Sequence, residues 1–187
     1  MSSRPFHEIS VSEIAREAKA SVSSLYARFP AKESLLGAVY ERYATAQRDM
    51  FDKVLSPDRW TGFSLSGALR VSFPVIVAGY RERQGLLRAF LDQASKDVRF
   101  RNTWADVGDH VVVHVTKLVT SRPNEVNHSN PENGVRIGLG IVFSALAHQV
   151  QMHRIDDPSM DELTEQLILM MLRYMGIPDA PNPISGQ

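Results

Sequence analysis

The stretch from Ser10 to Leu36, SVSEIAREAKASVSSLYARFPAKESLL, constrains the fold more than any other part of the chain. Ser10 followed three residues on by Glu13 forms a capping box, in which hydroxyl and carboxylate satisfy free amides reciprocally. A short helix over about 11–18 follows, with Val11, Ile14, Ala15 and Ala18 on one side and Glu13, Arg16 and Glu17 largely on the other. Lys19-Ala20 makes a tight break. Ser21 then caps a second short helix over about 22–29, where Val22, Leu25 and Phe29 have the spacing of one buried face. Pro30 ends that helix, and Lys32 opens a much longer third one, over about 32–54. Two short helices, a brief turn, and small alanines where they cross describe a helix-turn-helix.

The outward face of the second helix carries Ser23, Ser24, Tyr26, Ala27 and Arg28, whose hydroxyls and guanidinium suit phosphates or base edges in a major groove. The free amides at the start of the third helix also favour phosphate. The order I-A-x-x-A-x-A-S-x-x-S-L-Y-x-x-F-x-x-K-E-x-L, read from Ile14 to Leu35, resembles the signature of the tetracycline-repressor (TetR) family of transcription regulators. The resemblance covers about thirty residues and extends further only as an all-helical shape. It implies that Ser10 and Tyr26 touch phosphates, that Lys32 anchors the third helix on the backbone, and that Ser21, Val22, Ser23, Ser24 and Arg28 belong to the groove-facing set.

The match has departures. Lys19 occupies a turn position where the family usually has glycine, which implies a backbone conformation uncomfortable for a side chain. Ser23 replaces another small residue, and Ala31 stands where a polar cap is usual. The family also places a full amphipathic helix before the capping box, whereas here only Met1 to Ile9 precede Ser10, with Pro5 among them. Val11, Ile14, Leu25 and Phe29 are therefore expected to lack a packing partner, at a cost of several kcal/mol if each is half exposed. The expectation is that the chain starts later than the natural protein.

Charge narrows the function classes. Twenty-one basic and 21 acidic residues balance, and the first 55 residues hold eight Lys/Arg against seven Asp/Glu. Such a chain does not coat nucleic acid through bulk attraction; any contact depends on placement. No cysteine is present, so disulfide and thiolate chemistry are excluded, and a cytoplasmic location is expected. No apolar N-terminal run resembles a signal peptide, and the longest uncharged apolar run, Ile137 to Ala147, is far short of the roughly 20 residues a membrane span needs.

Beyond Ser56-Pro57-Asp58, periodicity predicts five further helices, over about 58–81, 83–97, 98–121, 132–153 and 159–175. Pro74 should kink the first, and SRPNEVNHSNPEN, 121–133, reads as a loop. The last two helices are apolar over more than one stripe, which predicts packing on their own domain and on a second subunit. Ile137, Leu139, Val142, Leu146, Leu167 and Met171 are the expected interface residues. His148 and His153 would border it. Phe73, Tyr80, Phe90, Trp104 and Met152, with His110 and His114 as polar points, are the expected lining of an effector cavity, a site the resemblance implies. Asp106, His110 and His114 are spaced four apart on one helical face, but with no fourth ligand evident they read as a polar stripe, and no metal or cofactor is expected. The tail from Gly176, with three prolines, reads as extended.

The resulting expectation is an all-α protein: a helix-turn-helix DNA-binding domain over 1–50 and a helical effector-binding and dimerisation bundle over 51–187. It is expected to act as a homodimer on a palindromic operator in double-stranded DNA, a repressor released by a small molecule, with no membrane partner and no catalytic residues. The alternative is a dimeric small-molecule-binding protein that has lost DNA binding.

Overall fold

A computed structural model describes residues 6–152 and 159–179. Eight α-helices build the described part of the chain: α1 (Val11–Glu17), α2 (Val22–Arg28), α3 (Lys32–Val54), α4 (Leu65–Glu82), α5 (Gln84–Ala94), α6 (Val98–Thr120), α7 (Pro131–Met152) and α8 (Met160–Met175). Short 3-10 turns lie at Phe6–Glu8, Pro57–Trp60 and Pro123–Glu125. The leader before residue 6, His153 and the tail beyond 179 lie outside the described residues.

Local chemistry sets the boundaries. The Ser10–Glu13 capping box forms as expected, with the Glu13 amide donating to Ser10 Oγ and the Ser10 amide donating to Glu13 Oε2. Lys19 takes φ 52°, the left-handed conformation that its glycine-preferring position implies. Ala31 caps α3 with no side-chain hydrogen bond. One boundary differs: α4 begins at Leu65 rather than near 58. Pro57 starts a separate 3-10 turn, Gly62 turns the chain at φ 82°, and Ser64 then accepts from the Gly67 amide as the true cap. Pro74 lies inside α4.

Two apolar clusters hold the helices together. The larger gathers Leu69 and Phe73 of α4, Val115 of α6, Leu139 and Leu146 of α7 and Met171 of α8, together with Phe51 and Leu55 from the end of α3. All of these side chains are buried. The smaller cluster joins Leu36 and Tyr40 of α3 to Ala89 and Phe90 of α5 and Phe100 of α6, with Phe6 packed against its edge. Helix α3 therefore belongs to both clusters, and a boundary at residue 50 falls inside it rather than between two bodies. Across the outer face, Arg70 of α4 binds Glu165 of α8 at 2.9 Å and Asp179 at 2.7 Å. The guanidinium, hydrogen-bonded to it, holds the Asp179 carboxyl below its usual range.

The expected interface set needs correction. Leu139, Val142, Leu146, Leu167 and Met171 are at most 6% exposed and fill the chain's own core, so a partner cannot reach them. Helix α7 is apolar on two sides, but these residues form its inner side. Ile137, at 46% exposed, does face outward, with Gly140, Ile141, Ser144 and His148 along the same side.

The end of α8 depends on Gly176. It caps the helix at φ 63°, and a Cβ there would lie 2.9 Å from Asn127 Cβ and 3.2 Å from the Asn127 carbonyl carbon. The Asn127 amide in turn reaches the carbonyls of Met175 and Gly176, tying the 121–133 loop to the helix end. Gly176→Ala is expected to destabilise the protein by about 1–2 kcal/mol from the left-handed backbone alone, read as a lower urea midpoint with an unchanged slope.

Candidate nucleic-acid interface and effector cavity

The head is thinly buried. Ala15 is the single buried residue of α1 and α2. Val11, Ile14, Leu25 and Phe29 are half-buried, as expected of residues short of a packing partner, while Val22, expected on the buried face with Leu25 and Phe29, is 37% exposed. Val22 opens the helix and Phe29 caps it in an extended conformation, so Leu25 alone of the three lies in its middle.

Capping consumes several of the hydroxyls assigned to DNA. Ser10 Oγ donates to Glu13 Oε2 at 2.9 Å, Ser21 Oγ accepts from the Ser24 amide at 3.1 Å, and Ser24 Oγ donates to the Ser21 carbonyl at 2.8 Å. Ser23 Oγ lies 3.1 Å from Ser21 Oγ. Tyr26 is 51% exposed, and Arg28, on the opposite flank of α2, lays its guanidinium over the Phe29 ring at 5.6 Å. Lys32 points elsewhere. Its ammonium donates to the carbonyls of Ile9 at 2.7 Å and His7 at 3.2 Å, and sits 4.5 Å above the Phe6 ring. It thus fastens the segment before α1 onto the start of α3, a contact for which the sequence holds no local signal.

A second candidate site lies deeper. Tyr40, Tyr43, Gln47 and Phe51 of α3, Tyr80 of α4, Trp104, Val107, Gly108 and Val111 of α6, and Phe143 of α7 enclose a cavity of about 40 Å³, counting the space open to the centre of a water molecule. By that measure it holds a few waters, at roughly 10–15 Å³ each. Burial pushes the Tyr43 phenol up to about 12 and raises Tyr40 and Tyr80 further, so all three are neutral hydroxyls near pH 7. Tyr80 and Trp104 of the expected lining are here. Phe73 is in the main core, Phe90 packs on Tyr40 in the smaller cluster, and Met152 is 53% exposed, so these three do not line the cavity. His110 and His114 also lie outside the lining; both meet Asp52 of α3 instead. The α3 contribution is absent from the expected lining because an apolar stripe on a connecting helix reads as a packing face. Tyr40, Tyr43, Gln47 and Phe51 at steps of three and four are the available signal.

Residues 1–39 match the family model described as bacterial regulatory proteins, tetR family. Over these residues the chain is similar to that family. The whole fold is shared with solved structures. A protein from Mesorhizobium loti MAFF303099, assigned as a tetR-family transcriptional regulator, superposes with a TM-score of 0.73 at 18% identity, covering 91% of this chain and 87% of that one. A transcriptional regulator from Cytophaga hutchinsonii ATCC 33406 gives 0.62 at 18% identity, covering 92% and 86%. At that identity the likeness is one of fold. No curated protein matches the chain. Among the described residues, no helix is long and apolar enough to cross a membrane.

In this tetR-type head, the Lys32 contacts make a separable prediction. Lys32→Met keeps the aliphatic stem and removes the donors. The Ile9 amide, which closes the turn onto the Phe6 carbonyl, is expected to exchange with deuterium faster in the variant, while the amides of α6 and α7 keep their rates.

Proposed function

We propose that this chain is a homodimeric, DNA-binding transcriptional regulator of the tetR family, a repressor whose bundle releases DNA when it takes up a small molecule. The observation that carries the reading is the outward surface of α2. The helix is held by the Ser21 cap yet buries none of its residues, leaving Ser23, Ser24 and Ala27 exposed on a broad arc flanked by Tyr26 on one edge and Arg28 on the other. Short polar side chains with one aromatic hydroxyl and one guanidinium, on a helix joined to a second by a tight turn, suit a major groove.

The outer side of α7 supports dimerisation. Ile137 and Ile141 are 46% and 48% exposed on a face where Gly140 leaves open space, and Leu169 and Met170 of α8 are partly exposed. A second copy laid there would form a four-helix arrangement and set two α2 helices at a fixed distance. A palindrome needs about 34–36 Å, or a multiple, between them.

DNA binding tests the reading. Duplex from the chain's own upstream region is expected to compete better than random duplex, with affinity falling steeply as salt rises. Arg28→Ala is expected to weaken binding and to shallow the log–log salt slope by about 1. Ile141→Glu is expected to give a monomer in sedimentation and to lose tight operator binding. Equal binding to random duplex, or none at low salt, overturns the reading in favour of a ligand-binding protein that does not read DNA.

The cavity supports the release step. Its three neutral phenols and the Gln47 amide offer polar handles among Trp104, Phe51 and Phe143, a lining suited to a flat aromatic molecule bearing hydrogen-bonding groups. At about 40 Å³ it must widen to admit one, and a ligand that favours the widened form weakens DNA binding by the same coupling free energy. Gly108→Leu, which projects into the space beside Phe143, is expected to abolish the Trp fluorescence response to such compounds and to make operator binding insensitive to them. An unchanged response would remove the cavity from the mechanism.

A further inference from the structure

Sequence spacing pairs His110 and His114 with Asp106, but it is Asp52 that the fold brings to them. Asp52 Oδ1 lies 2.7 Å from His110 Nε2 and 3.1 Å from His114 Nε2. The ligating atoms of the three side chains all lie within 4.8 Å of one another, across the contact between α3 and α6. The two imidazole rings stand 4.5 Å apart.

The hydrogen-bond roles are compatible with a cation in the cluster. His114 Nδ1 lies 2.9 Å from the His110 carbonyl oxygen. A carbonyl only accepts, so Nδ1 carries a proton and donates it. In the neutral ring, Nε2 is then a bare lone pair, aimed at an oxygen that also only accepts. Two imidazoles converge on that one carboxylate oxygen, and a cation among them would take the oxygen and both Nε2 atoms as ligands, with the His110 proton carried on Nδ1. An Nδ1–H donated to a backbone carbonyl, with Nε2 free, is also the usual orientation of a metal-bound histidine.

We propose that Asp52, His110 and His114 bind one divalent d-block ion, with Zn2+ as the reference ion. Two imidazole nitrogens and a carboxylate oxygen suit such an ion better than Mg2+ or Ca2+, which take oxygen ligands. Three protein ligands leave a fourth position for water or a ligand atom. Ligands of a tetrahedral zinc stand about 3.3 Å apart for bonds of about 2.0–2.1 Å, so the carboxylate backs away from both rings by a few tenths of an ångström. Asp52 is 52% exposed and free to do so, whereas the histidines, at 25% and 18%, are held by the helix. Phe51 and Val111, the chain neighbours of Asp52 and His110, line the cavity, so a bound ion fastens α3 to α6 at the cavity's edge. The site stands on its own geometry and does not depend on the chain reading DNA.

The test is titration of the full, metal-free protein with Zn2+, with Co2+ as the spectroscopic probe and no DNA present. Equimolar saturable Zn2+ binding is expected, with visible Co2+ bands of a four- or five-coordinate site and a higher Tm. His110→Ala and His114→Ala are each expected to weaken Zn2+ binding by at least the roughly tenfold to hundredfold typical of lost supporting contacts, and to abolish the Co2+ bands. Asp52→Asn should weaken it less, and His148→Ala, an exposed histidine elsewhere, should leave it unchanged. Metal-free Tm shows that each variant is folded; His110→Gln and His114→Gln replace any alanine variant that is not. No saturable binding below millimolar Zn2+, equal binding by the histidine variants, or binding lost only in His148→Ala would overturn the site and leave a hydrogen-bonded cluster.

Discussion

Burial of the inner face of α3 is the contact on which the rest of the architecture depends. Its first half packs Leu36 and Tyr40 against α5 and α6, and its second half sends Phe51 and Leu55 into the main core. Helix α6, laid along it, is the other element whose buried residues enter both clusters, through Phe100 in one and Val111 to Val119 in the other. The head meets α3 at its N-terminal end, where Lys32 gathers the carbonyls of the preceding segment. The cavity opens along its middle, and Asp52 faces α6 near its end. A rotation of this one helix would therefore be felt at once in the head, the cavity and the histidine cluster, because packed interiors shift as rigid pieces rather than by gradual deformation.

The helices are legible in the sequence because their signals are local. Ser10 with Glu13, Ser21, Pro30, and the periodic apolar positions beyond residue 60 place most boundaries within a few residues. Lys19 shows how a family pattern can forecast even a backbone angle: a position that prefers glycine has φ 52° in a lysine. The late start of α4 is less visible, since Pro57 is as good an opening for a 3-10 turn as for a helix.

Side-chain partners across the fold are mostly not legible. Periodicity reports that a helix is apolar on two sides, but not which side meets the chain's own core. That is why it points Leu139, Val142 and Leu146 outward and overlooks Ile141. The same limit groups Asp106 with His110 and His114, its neighbours on one helix, when the partner is Asp52, 58 residues from His110 in the chain. Non-local pairing is decided by how α3 lies on α6, and no spacing rule within one helix contains that information.

The scarcity of buried surface in α1 and α2 has a thermodynamic consequence. Local opening free energy scales with the apolar contacts broken, and Ala15 alone is buried across these two helices. Among the described residues the head thus has the least buried support, and its local opening is expected to cost less than that of the bundle to which it is attached. Surfaces that order on docking make affinity a sensitive reporter of anything that steadies them beforehand. A small stiffening of α3 would then steady α1 and α2 chiefly through entropy, with little visible change in where the atoms sit.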